Sequence, residues 1–332
     1  MSLEIAMPLL SSRRALLATP LAAPGIALAQ QAGFPNRPLR VVVPFAPGGI
    51  TDILARAAAE GLSGKLGQPV VVENRAGAGG NVGSEAVAKA APDGYTMLAV
   101  GPAVMGIAKP LYGRLNYDPD ADFACLGMLG GQANVMLVSP RALPEPTLPA
   151  LVTAARAKPG EVAFASSGSG SLTHLTAELF AKDAGLRMVH VPYRGSPPAL
   201  ADLISGQVAM LFDALTTALP LHQAGQVRIV GIATRERAVE LPDVPSLVEA
   251  GFPNLDVPNW FGLFVPAATP TPVAQRLSSA LAEVTAMESY RALMRARSAM
   301  PVAIGDDGLD AFLARERSRW AEAVRSSGAR PD

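Results

Sequence analysis

Cysteine is nearly missing: Cys125 is the only one in 332 residues, so no intramolecular disulfide can form and stability must come from packing. It also lies too far into the chain to be a lipid-bearing N-terminal cysteine. Histidine is scarce as well. His174, His190 and His222 are the three present, and with Cys125 they show no metal-ligand spacing, so no metal site is expected. Charge is sparse and balanced, with 28 basic and 28 acidic side chains and 17% of residues charged, which speaks against nucleic acid or any other polyanion as partner. Signatures of catalysis are lacking too. Gly77, Gly79 and Gly83 give G-x-G-x-x-x-G rather than the dinucleotide fingerprint, no phosphate-binding G-x-x-x-x-G-K-[ST] occurs, and the serine-rich stretch from Ser166 contains no G-x-S-x-G elbow. Neither a cofactor nor a catalytic residue is expected.

No apolar run is long enough for a membrane span. The longest candidate, Ala15 to Leu28, is broken by Pro20, Pro24 and Gly25 and falls short of the roughly 20 residues a span needs. With Arg13-Arg14 before it and Ala27-Leu28-Ala29 at its end, it reads as an export signal over residues 1–29, cleaved after Ala29. Either the general secretory or the twin-arginine route fits. The expected destination is the periplasm.

What is present is a chain 49% hydrophobic, in which short Val- and Ile-rich runs alternate with longer runs of helical period. Strands are expected at 39–44, 70–73, 95–100, 135–139, 161–165, 188–192, 208–212 and 228–233. Their continuous apolarity fits parallel strands covered by helices on both faces. Ile53, Leu54, Ala57, Ala58, Leu62 and Leu66 mark a helix over 51–66, and Leu309, Phe312, Leu313, Trp320 and Val324 mark another over about 306–325, assigned to the first lobe. Proline clusters at 140–149 and 253–272 look like crossing points. The expected architecture is an α/β clamshell of two lobes, each a mostly parallel sheet flanked by helices, joined by two crossover strands. Lobe one takes residues 30–137 and 260–332, and lobe two takes 138–259.

Four segments at strand ends could hold a ligand, because ligands of open α/β sheets bind beyond the carboxyl ends of strands. Pro47-Gly48-Gly49-Ile50-Thr51-Asp52 leads from a strand into a helix, where unpaired N–H groups and the helix dipole favour an anion. A plain tight turn gives the same sequence, and Asp52 fits a helix-stabilising role better than a ligand contact. Ser166 to His174 offers four serines, a threonine and backbone donors that could hold a carboxylate without arginine, although such turns also cap helices. Val191-Pro192-Tyr193-Arg194-Gly195-Ser196 and Leu211-Phe212-Asp213 complete the set. Arg194 is the obvious carboxylate clamp, but an arginine before glycine is as readily solvated.

Pro44-Phe45-Ala46-Pro47-Gly48-Gly49, Val72-Glu73-Asn74-Arg75-Ala76-Gly77-Ala78-Gly79-Gly80, Pro92-Asp93-Gly94-Tyr95-Thr96, Tyr117-Asp118-Pro119, Val191-Pro192-Tyr193-Arg194-Gly195 and Trp260-Phe261-Gly262 together resemble the Bug family, the TctC-type receptors of tripartite tricarboxylate transporters. The resemblance spans the whole chain after the signal. It implies a monomeric type II periplasmic-binding-protein fold that takes a small carboxylate between its lobes and hands it to membrane permease subunits, or to a sensor protein. It implies Phe45, Ala46, Pro47, Gly48, Gly49 and Asp52 as ligand-binding positions in lobe one, and Ser166, Ser167, Gly170, Ser171, His174, Tyr193 and Asp213 in lobe two. The remote alternative is a hydrolase of small acids using Ser171 and His174. Gly101-Pro102-Ala103-Val104-Met105 departs from the family's polar turn, which suggests a more apolar pocket wall and a ligand with an apolar body.

Overall fold

The structure is a computed structural model and describes residues 33–331 except 194 and 303. The expected signal at 1–29 and Arg194 lie outside the described residues. Leu39–Val43 (β1), Ile50–Leu66 (α1), Val70–Asn74 (β2), Asn81–Ala88 (α2) and Thr96–Val100 (β3) form successive βα units, with β2 and β3 both parallel to β1. Four of the five β1 residues are buried, including adjacent Val41, Val42 and Val43, as expected of a strand covered on both faces. Helix α1 stops at Gly67, whose left-handed backbone lets its N–H return to Ser63 O.

A π-helical turn, Ala103–Ala108, leads into the short helix Lys109–Tyr112 (α3). Phe123–Gln132 (β4) and Asn134–Val138 (β5) follow, separated by Ala133 alone. Beyond them come Leu148–Ala157 (α4), Ala163–Ser166 (β6), Leu172–Ala184 (α5), Val189–Pro192 (β7), Ser196–Ser205 (α6), Met210–Ala214 (β8), Leu215–Gln223 (α7) and Arg228–Ile232 (β9). The chain then returns as Asn259–Pro266 (β10), Thr271–Ala286 (α8), Glu288–Ala296 (α9), Ala299–Met300 (β11) and Gly308–Ser327 (α10).

Two sheets result among the described residues, ordered β11-β4-β10-β3-β1-β2 and β7-β6-β8-β5-β9. Both are mixed. Strands of the βα units pair in parallel, whereas the strands that carry the chain between sheets, β4, β5 and β10, pair antiparallel to their neighbours. The first crossing falls at Ala133, ahead of the expected boundary at 137/138, because Asn134–Val138 already pairs with β8 and β9. The return falls at Pro258, between Val257, whose N–H bonds Ala233 O, and β10.

One assignment needs correcting. Helix α10 does not belong to the first lobe alone. Phe312 and Leu313 join the first lobe's core with Val42, Leu98, Trp260 and Phe264, but Trp320, Ala323 and Val324 join the second lobe's core with Phe164, Phe180 and Phe212. A helix of 20 residues is about 30 Å long, enough to reach both cores. At the midpoint, buried Glu316 accepts the indole N–H of Trp260 at 2.8 Å and of Trp320 at 3.1 Å. The 103–112 segment bridges in the same way, with Val104 and Met105 in the first core and Ile107 and Leu111 against the second.

Candidate ligand-binding cleft

The register places the cleft. β10 pairs Gly262 with Val100 and Asn259 with Gln132, so the ends of β3 and β4 lie at one edge of the first sheet, the edge where β1 also ends. In the second sheet Asn134 pairs with Ala214, so β5 begins where β8 ends, beside the ends of β6 and β7. With Ala133 alone between Gln132 and Asn134, the carboxyl edges of the parallel strands face each other. Gln132 Nε2 donates across the junction to Thr216 Oγ1 at 3.0 Å, and Leu215 N–H donates to Ala133 O. The Gly48-Gly49 turn and the Ser166–Ser171 turn therefore open onto a common side. A chain of close approaches links them. A methyl group on Gly170 would lie 2.4 Å from Leu111 Cδ2, one on Gly79 2.8 Å from the Tyr112 hydroxyl, and one on Gly80 3.1 Å from Phe45 Cζ.

The first turn leaves donors open. Helix α1 has Gly49 at its N-cap with no side-chain cap, and the N–H groups of Gly49, Ile50, Thr51 and Asp52 have no partner among the described residues. Such a cluster at a helix start attracts negative charge. Ala46, Pro47, Gly48 and Gly49 are exposed and Phe45 is half-buried. Gly48 has φ +87 with nothing near a would-be Cβ, so glycine serves conformation there, not space. Asp52 is buried and turned inward. Its carboxylate accepts Gly48 N–H at 2.9 Å, Asn74 Nδ2 at 2.9 Å and Arg56 Nε at 3.0 Å. Burial pushes against its ionisation, yet these donors outweigh it and hold the carboxyl below its usual range. Asp52 thus shapes the turn, with its oxygens already taken.

The serine-rich turn is largely closed on itself. Ser171 caps α5 by accepting His174 N–H, and its hydroxyl donates to Gly168 O at 2.6 Å. Ser167 N–H goes to Thr173 Oγ1, Gly168 N–H to Ser166 Oγ, and Gly170 N–H to His174 Nδ1 at 3.0 Å. The N–H groups of Ser169, Leu172 and Thr173 remain without a partner among the described residues. Ser169 and Leu172 were not among the expected positions, because a sequence shows how many donors a turn has but not which ones it uses internally. His174 is 4% exposed; its Nδ1 is taken by Gly170 and its Nε2 faces Glu178 Oε1 at 3.6 Å. Its ring stacks on His190 at 3.7 Å.

Asp213 lies one residue before the end of β8, on the opposite sheet face from Ser166. One carboxylate oxygen accepts Ser196 Oγ at 3.0 Å and Ala214 N–H at 2.9 Å, while Oδ2 is buried with no partner among the described residues. Burial, exceeding the effect of those bonds, raises its carboxyl above the ordinary range. The Tyr193 hydroxyl is spoken for by Asp202 at 2.6 Å and is pushed up to about 12 by burial and by that carboxylate. Val104 and Met105, expected on the pocket wall, are buried in the first core, so the apolar-wall expectation is not supported by their placement.

Two cavities lie elsewhere. One of about 750 Å³ sits against the edge strand β9, lined by Leu148, Val152, Arg228, Val230, Leu241 and Phe252, and one of about 270 Å³ lies between Met128, Thr285, Met294 and Val302. No residue of either turn lines them. Among the described residues, no cluster of His, Cys, Asp or Glu could hold a metal ion, and no helix is long and apolar enough to cross a membrane.

Residues 54–328 match the family model TctC, described as a tripartite tricarboxylate transporter family receptor. Protein BugT of Bordetella pertussis is 37% identical over 298 residues, which cover 90% of this chain and 91% of that protein. A Rhodopseudomonas palustris protein solved with adipate superposes with a TM-score of 0.77 at 33% identity, covering 90% of this chain and all of that one. MatC of Rhodopseudomonas palustris, solved with bound malate, gives 0.73 at 33% identity, covering 88% of this chain and all of that one.

Proposed function

The chain belongs to the TctC family of tripartite tricarboxylate transporter receptors, a family of solute-binding proteins rather than enzymes, and we propose that it takes a small carboxylate into the cleft between its lobes. The observation that carries this reading is the uncapped start of α1, where four neighbouring N–H groups stand open beside an exposed glycine pair at the edge that faces the serine-rich turn. A carboxylate supplies the acceptors those donors lack, and bonds to an ionised acceptor are about twice as strong as neutral ones. Gly49, Ile50 and Thr51 grip one end of the ligand by backbone, and Ser169 with Leu172 approach from lobe two. Phe45, Ala46 and Pro47 shape the wall. Ser166, Ser167, Gly170, Ser171 and His174 act by holding the second turn. Asp213, with its orphaned oxygen, selects the ligand's far end.

Capture proceeds by the lobes closing about Ala133 and Pro258, after which the closed form delivers its cargo to membrane permease subunits from the periplasm. The family description supports that destination. Affinity near micromolar, about −8 kcal/mol, is within reach of several such bonds in a desolvated cleft.

Calorimetry with adipate, malate and the uncharged diamide of adipate tests this, on wild type and on Ile50→Pro. Proline is tolerated at the first helical position, and Gly49 already has the extended backbone that a following proline requires, so the variant deletes one donor and keeps the helix. The expected result is 1:1 binding of a carboxylate, no binding of the diamide, and a roughly tenfold weaker carboxylate affinity in Ile50→Pro, about 1.4 kcal/mol. Equal binding of diamide and diacid contradicts the proposal.

A further inference from the structure

His174 and His190 lie nearly parallel, 8° apart, with Phe164 continuing the stack, beneath the turn from which the proposed function brings Ser169 and Leu172 to the ligand. Their hydrogen bonds respond differently to an added proton. Gly170 N–H donates to Nδ1 of His174, so that nitrogen must be bare and the proton sits on Nε2, facing Glu178. Ser166 Oγ lies 2.6 Å from His190 Nε2, a contact in which either group can donate, and 3.1 Å from Gly168 O. Protonated His190 donates to Ser166 Oγ, whose own hydrogen can turn to Gly168 O, so a bond survives either way. Adding a proton to His174 destroys the acceptor and sets two N–H groups against each other, with Gly170 buried and packed against Leu111.

We propose that His174 is a positioning residue whose neutral imidazole holds Gly170, and through it the serine-rich turn, in its binding shape, so that carboxylate affinity has an acid limb belonging to His174. This rests on the carboxylate reading for its functional consequence but not for the coupling itself. The surroundings favour a single sensitive point. Glu178 faces the ring from α5 itself. The α10 helix meets α5 through Lys182 and Glu322, the 253–255 turn meets it through Asp183 and Asn254, and Asp213 of β8 turns to Ser196 on the other face of the sheet. Leu111 is what α3 places over Gly170.

The experiment follows the Gly170 amide and the His174 ring by NMR in ligand-free wild type from pH 7.5 to 5, the range over which imidazoles take up protons. Adipate affinity is then measured at pH 7.5 and 5.5 in wild type and in His174→Asn. Asparagine keeps an acceptor near the position of Nδ1 and cannot titrate, and protonation of adipate is common to both proteins. The proposal expects the Gly170 amide to titrate with the midpoint of the His174 ring, and the ratio of affinities between the two pH values to be at least threefold larger in wild type than in His174→Asn. A Gly170 amide indifferent to that midpoint, or equal ratios in the two proteins, overturns it. If ring and amide titrate together but adipate binds neither protein at either pH, the positioning role stands and the carboxylate reading fails for that probe.

Discussion

Asp213 binds its proton more tightly than a solvated carboxyl because burial penalises its charge more than Ser196, Ala214 and Thr217 stabilise it. For an acid whose folded-state pKa is raised, ionisation weakens the fold above that pKa, and the penalty fades as pH falls through it. Asp213→Asn should therefore gain in thermal stability relative to wild type at pH 8, and the gap should narrow toward pH 4 by calorimetric unfolding. A gap that widens on acidification contradicts this placement. Asp52 has the opposite sign, its carboxyl lowered, so its contribution is present above about pH 4 and lost on further acidification. At this scale the sequence was informative where the backbone decides. Gly48-Gly49 could be placed at an anion-ready helix start, and Asp52 as a stabiliser of it, because φ preference and helix polarity are local. It was uninformative where partners decide. Ser171 and His174 looked like ligand donors, and only the fold shows their atoms committed to Gly168 and Gly170.

Among elements, the eight expected strands all appear, within two residues at either end, because each is a short apolar run between breakers. β4, β10 and the two-residue β11 escaped notice. Gly127, Gly130 and Gly131 interrupt the apolar pattern of β4, and the pairing of β4 with β10 shifts register twice, so neither has a clean period to read. α10 was recognised as a helix, but its two masters were not, since one apolar stripe does not say how many cores it meets. Trp320 makes the consequence measurable. It is fully buried in the second core while its indole shares Glu316 with Trp260 of the first. Trp320→Ala should lower unfolding free energy by roughly 3–5 kcal/mol, and denaturant titration followed by probes in each lobe should show both transitions moving. Loss confined to one lobe's transition would show that α10 is not a shared element.

For the whole molecule, the α/β class and the two-lobed fold followed from alternating strands and helices punctuated by two proline clusters; the chain passes between the sheets at Ala133, ahead of the first cluster, and at Pro258, inside the second. What could not be read was the facing of the two sheet edges, a matter of register across Ala133 and Pro258. That facing brings two separate helix starts to a common side, where the proposed cleft lies. The 750 Å³ cavity against β9 is a competing location, and amide chemical-shift mapping separates the two. Nitrogen-15-labelled protein is titrated with adipate or malate, whichever calorimetry shows to bind. The amides of Gly49, Ile50, Thr51, Ser169 and Leu172 are expected to shift most. Shifts clustered instead on Leu148, Val152, Val230 and Phe252, with the Gly49–Thr51 amides unmoved, would contradict it.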